Sequence, residues 1–160
     1  MSLCYKISPE LNLILYVGKG RSSPSDFFAL EEAAFLQYPR PRGMITLVDA
    51  EELSTAFELH DIHRFIDNIA GMTKSGMEPG AYFMITKDWG LHLLAEAARL
   101  MAVNIDLKAR TYFTLQEAIV ALGLSDHRNE IIQLWEECKL ELKSTSGDTG
   151  SIKTLARCRA

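Results

Sequence analysis

Apolar residues along this chain recur with two different periods, and the alternation between them outlines the elements. Tyr82-Phe83-Met84-Ile85-Thr86 is an apolar run of strand length, and Leu91, Leu94, Ala98 and Met101 then recur at helical spacing. Leu107 to Phe113 returns as a strand, and Thr114-Leu115-Gln116-Glu117 opens the next helix with a capping box. A strand, a helix, a strand and a helix within Tyr82 to Leu124 give the rhythm of an α/β sheet domain.

The N-terminal half fits the same scheme. Leu3 to Ser8 and Leu11 to Val17 predict two strands joined at Pro9-Glu10 as a hairpin, and Gly18-Lys19-Gly20-Arg21 breaks the pattern. Ser23, with Pro24 at the first helical position and Asp26 three residues after the cap, starts a helix with Phe27, Leu30 and Ala34 on its inner face. Tyr38-Pro39-Arg40-Pro41 stops it. Met44 to Ala50 is a third strand, and Thr55-Ala56-Phe57-Glu58 reads as a capping box before Leu59, Ile62, Ile66 and Ile69, with Gly76 to Gly80 closing that unit.

After Leu124, Ser125-Asp126 caps a fifth helix that runs to about Leu142, with Ile131, Trp135 and Cys138 on one stripe. From Ser144 onward Ser, Thr, Gly and basic residues without periodicity predict a solvated, flexible tail. The expected architecture is α/β: a mixed five-stranded sheet with helices packed on it and an extra C-terminal helix. One domain is expected over residues 1–143, with the added helix at 125–142 and the tail at 144–160.

Composition narrows the function classes. At 160 residues and 48% hydrophobic content the chain can bury one core. A net charge of −4 argues against a general nucleic-acid binder, which needs clustered Lys and Arg to displace counterions. Three basic residues and one acidic residue follow Ser144, so the body before it carries −6. No apolar run reaches bilayer-spanning length and no leader pattern opens the chain, so no membrane insertion and a cytoplasmic address are expected. Cys4, Cys138 and Cys158, odd in number and widely spaced, fit free thiols in a reducing compartment.

A hairpin ending in Gly18, a strand ending Leu47-Val48-Asp49, the strand Tyr82-Phe83-Met84-Ile85, and Arg110 to Ala118 leading to Leu122-Gly123 together resemble the SpoIIAA-like branch of the STAS fold. The resemblance spans roughly Leu3 to Gly123 and implies a small regulatory or ligand-binding domain. The wider family's phosphorylated Asp-Ser-Ser/Thr-Gly-Leu turn is replaced here by Asp49-Ala50-Glu51-Glu52-Leu53-Ser54-Thr55. The branch's Trp-Leu-Gly is here Ala121-Leu122-Gly123, with Trp135 as a candidate to cover that space.

Four constellations carry candidate chemistry, each with a structural competitor. His60, His63 and Asp67 share a helical stripe with metal-ligand spacing, but a solvated flank in which His63 and Asp67 pair at i, i+4 is the leading reading, and no metal or other cofactor is expected. Gly18 to Ser23 precedes a helix N-terminus, where free N–H groups favour an anion; an ordinary tight turn has the same composition. Ser54 and Thr55 are phosphoacceptor candidates at a helix start, although capping alone explains Thr55. Asp49, Lys87 and Asp88 follow strands whose carboxyl ends share one edge, where open α/β sheets bind ligands, while Asp88 also suits the cap of the third helix.

With Lys19 and Arg21, these last residues form a ligand-binding set for a small anion or an acidic or phosphorylated group on a protein partner, and Asp49 is expected to orient Lys87 or a water. Gly-x-Ser-x-Gly, His-Glu-x-x-His and dinucleotide signatures are absent, so the leading reading is a non-enzymatic module. The alternative is a small hydrolase or transferase at the Asp49 and Lys87 edge. The stripe of Ile131, Trp135 and Cys138 either caps the domain or forms a homodimer with the same stripe on a second copy.

Overall fold

The computed structural model describes residues 2–38, 43–55, 57–74, 80–105 and 107–145. The predicted breaks at Pro39 to Pro41 and at 76–79 lie outside them, and of the tail expected at 144–160 all but Ser144 and Thr145, which end the last helix, lies outside them too. β1 (Ser2–Ser8) and β2 (Leu13–Ser22) form the expected antiparallel hairpin, with Asn12 at φ 50° accepting the left-handed turn that Pro9 opens. α1 (Pro24–Gln37), β3 (Ile45–Thr55), α2 (Leu59–Lys74), β4 (Ala81–Ile85), α3 (Trp89–Met101), β5 (Lys108–Tyr112), α4 (Leu115–Ala121) and α5 (Arg128–Thr145) follow in order. The sheet has five strands in the order β1-β2-β3-β4-β5, with every pair after the hairpin parallel. The expected mixed five-stranded α/β sheet is therefore the observed one.

Sequential strand order means that each crossover steps the same way, which places the crossover helices on one face. Alternation along the strands divides the core accordingly. Ile14, Tyr16 and Val48 pack with Leu30 and Ala34 of α1, while Tyr82 packs with Ile69 of α2 and Ala102 and Leu107 after α3. On the other face Leu13, Leu15, Val17, Leu47, Phe83 and Ile85 meet α4 and α5. Gly80 is required where β4 enters the sheet, since a Cβ there would run into the carbonyl oxygen of Met44, the acceptor of Ala81 N–H at 3.1 Å.

Several boundaries differ from expectation for physical reasons. Gly18 to Arg21 is not a break: β2 runs on to Ser22, and β3 runs on to Thr55 beside it as a two-stranded ribbon. Thr55 therefore ends a strand and does not cap a helix. α2 starts at Leu59, where the Asp61 carboxylate accepts the Glu58 N–H at 2.9 Å. Ser125 opens a 3₁₀ turn over Ser125–His127 and not the helix itself.

α5 is likewise no accessory. Ile131 and Cys138 are fully buried and Trp135 packs against the same cluster, so the stripe faces this chain's own sheet. The stripe expected to form a homodimer, Ile131, Trp135 and Cys138, packs instead on β1 and β2 of its own chain, with Ile131 and Cys138 buried and Trp135 partly so. Among the described residues no helix is long and apolar enough to cross a membrane.

Candidate functional site

The carboxyl ends of β2, β3 and β4 converge at one edge, and a β-bulge sets what they display. Val17 pairs with Asp49, but Lys19 pairs with Glu52, so β3 carries one extra residue against β2. Asp49 and Glu52 consequently reach the same helix: Lys139 Nζ lies 3.8 Å from Asp49 Oδ2 and 3.3 Å from Glu52 Oε1. Without the bulge, strict alternation would send Glu52 to the opposite face from Asp49.

Asp49 is 2% exposed and both of its oxygens are engaged. Oδ1 accepts the Glu51 N–H at 3.0 Å, and Oδ2 accepts the Trp135 indole N–H at 2.5 Å. A buried carboxylate needs such donors to offset its lost hydration. Lys139 also lies 4.0 Å from the centre of the Trp135 ring, so its ammonium is held by an aromatic face as well as by acids.

Around this fixed centre two exposed lysines pair with acids of the bulge. Lys19 reaches Glu52 at 3.2 Å and Lys87 reaches Glu51 at 2.8 Å. Lys19, and then Lys139, hold the Glu52 carboxyl below its ordinary value. The Glu51 hydrogen bond and charge raise the Lys87 ammonium above its own. Lys87 thus bonds Glu51, whereas the sequence suggested Asp49 as its orienting partner.

The remaining candidates separate from this cluster. Asp88 is spent on α3, its Oδ1 accepting the Leu91 N–H at 2.9 Å. Arg21 stands further out on the ribbon opposite Ser54, and Thr55 lies opposite Ser22. Ser54 and Thr55 therefore sit on a strand, where no helix N-terminus would stabilise a phosphate. Two of the helix starts expected to aim N–H donors at the edge have side-chain caps, Ser23 with Asp26 in a capping box and Asp88, and at the third the Asp61 carboxylate accepts the N–H of Glu58.

His60 leans toward Glu58 and Asp61, with His63 and Asp67 exposed, and no metal-holding group occurs among the described residues. Sequence reasoning brought Lys19, Asp49 and Lys87 to one edge correctly but missed Lys139 and the role of Trp135. Their signal was present as an i, i+4 pair on α5, visible only once α5 is known to cross the end of β3.

The structure is similar to that of an uncharacterised protein of the DUF3478 family with a SpoIIAA-like fold from Shewanella loihica PV-4, at 14% identity over 76% of this chain and 92% of that one, with a TM-score of 0.47. No family model matches the sequence, and no curated protein matches it.

Proposed function

We propose that this chain is a non-enzymatic module of STAS type whose carboxyl edge takes a small anionic ligand, or an acidic or phosphorylated group of a protein partner, at Lys19 and Lys87. The supporting observation is that both lysines are exposed and held by single acids on the bulge, while the acid beneath them is locked. Exposed ion pairs contribute about 0–1 kcal/mol, so an anion bearing more charge than one carboxylate can displace Glu51 and Glu52. Catalysis by Asp49 is disfavoured because a general base must come within hydrogen-bond reach of substrate, and the Asp49 carboxylate is 2% exposed with an N–H donor holding each oxygen.

A thermal-shift screen of phosphorylated and polycarboxylate compounds tests the reading. At least one compound is expected to raise the melting temperature of the wild type and to lose that effect in Lys19→Ala and in Lys87→Ala. If every shift is the same in all three proteins, the edge is not a binding site.

A further inference from the structure

Cys4 and Cys138 stand on the first strand and the last helix, 134 residues apart in the chain. The fold brings them together: the Cys4 thiol is 3.1 Å from Cys138 Sγ and 3.3 Å from Glu141 Oε2, one turn further along α5. Both cysteines are buried and both are free thiols. A disulfide is ~2.05 Å long, so about 1 Å of approach separates this contact from a covalent bond. Two cysteines used only as small apolar side chains would account for the burial. They would not account for the charged flank, in which Glu141 also bonds the buried Lys6 at 2.5 Å and leaves its second oxygen beside the Cys4 proton.

Topology gives such a bond an unusual reach. A cross-link stabilises chiefly by restricting the unfolded chain, and more so as the loop it closes lengthens. Here the loop holds β2 to β5, the first four helices and more than half of α5. Cys138 also adjoins Lys139 and lies three residues from Trp135, the two α5 side chains that meet Asp49. The bond would therefore fasten α5 to β1 beside the groups that hold the carboxyl end of β3.

We propose that Cys4 and Cys138 are a redox site, at which a small disulfide such as oxidised glutathione converts the two thiols into an intramolecular disulfide that staples α5 to β1. The thiolate of one cysteine attacks the small disulfide, forming a mixed disulfide and releasing one small thiol. The thiolate of the other cysteine then attacks the protein sulfur of that mixed disulfide and releases the second. Two electrons pass from the cysteine pair to the oxidant, and the two thiol protons leave on the two released thiols. Burial bars the oxidant from the closed fold, so the first step belongs to chains whose α5 is off the sheet and the second to its return. The inference is independent of the anion site.

Refolding the reduced full chain from urea into a mixture of reduced and oxidised glutathione tests it. After alkylation of the remaining thiols and digestion with trypsin, residues 1–6 should be found joined to residues 129–139, two hydrogen atoms lighter than the separate peptides. Folding and ring closure favour one another by the same factor, so the equilibrium constant for oxidation should be about tenfold or more greater in native buffer than in unfolding urea. The oxidised chain should also unfold at higher urea than the same chain reduced with dithiothreitol, a comparison that needs no substitution. Thiols that stay free, glutathione adducts without the cross-link, pairing of either cysteine with Cys158, closure as favourable in urea as in native buffer, or a cross-linked chain no more resistant to urea than the reduced one each overturns the proposal.

Discussion

The indole N–H of Trp135 donates to Oδ2 of Asp49 at 2.5 Å, tying the last helix to the carboxyl end of the third strand. Removing the donor while keeping an aromatic ring isolates that tie. Trp135→Phe leaves one oxygen of a buried carboxylate with only Lys139, 3.8 Å away. A loss of about 1–3 kcal/mol is expected in urea unfolding at constant m-value. In a double-mutant cycle with Asp49→Asn the two changes should be non-additive by about 0.5–3 kcal/mol. A Trp135→Phe protein as stable as the wild type would show that the bond contributes nothing.

Lys6 gives a pH signature. Its side chain is 6% exposed, bonded to Glu141 at 2.5 Å with Glu137 at 3.9 Å. Burial by itself lowers an ammonium pKa; here the hydrogen bond and charge of Glu141 outweigh it, and the pKa stands above the ordinary 10.5. A group whose folded pKa exceeds its unfolded one contributes stability that is fully present below the unfolded value and lost as pH rises through the folded value. The stability difference between the wild type and Lys6→Met should therefore be flat at neutral pH and shrink above 10.5. At neutral pH it is expected near 1–3 kcal/mol, about half the 3–5 of a fully buried pair, because water still reaches Glu141. A difference that grows with alkalinity contradicts the pairing.

Sequence pattern disclosed the strands and helices whose periodicity is local, and failed where pairing is not. Ser23 with Asp26, and Thr114 with Glu117, cap as expected, although Glu117 returns its bond to the N–H of Phe113, one residue before the cap. Gly18-Lys19-Gly20 has the local composition of a break because glycine weakens a strand on its own, whereas the partner strand β3 supplies the pairing that holds it. A Cβ at Gly18 would meet only the flexible ends of the Leu53 and Leu3 side chains, so packing does not demand glycine there. The bulge that aims Glu52 at Lys139 has no local signal, being a mismatch in length between strands that neither sequence shows alone. The α5 stripe was visible, but only the sheet it covers tells a core layer from a dimer surface.

Asp88 separates structure from ligand binding at the sheet edge. Its carboxylate accepts the Leu91 N–H and is part of α3, so Asp88→Ala should lower stability by about 1 kcal/mol, with Asp88→Ser restoring most of it. Anion-induced thermal shifts should be unchanged by Asp88→Ser, while Lys87→Ala abolishes them. If Asp88→Ser weakens anion binding as strongly as Lys87→Ala, Asp88 belongs to the site and not merely to the helix.

Cys4 on β1 and Cys138 on α5 report on whether the last helix is a true core layer. Their sulfurs lie 3.1 Å apart and both are buried. The hydrogen bond to Cys138, then burial, then the nearby Glu141 charge push the Cys4 thiol well above its ordinary pKa. The thiolate is the reactive form, so burial shields both sulfurs from alkylation in the folded state and the raised pKa protects Cys4 further. In a Cys158→Ser background, iodoacetamide should modify neither residue in native buffer at mildly alkaline pH, and both should react together as urea unfolds the chain. The dependence on urea decides between two modes of opening. If labelling follows the full unfolding m-value, α5 opens only with the whole domain, as a helix with Ile131 and Cys138 at the centre of the core must. If both cysteines label at low urea with a small m-value while the sheet remains folded, α5 detaches by itself, and its place as a layer of the core is refuted.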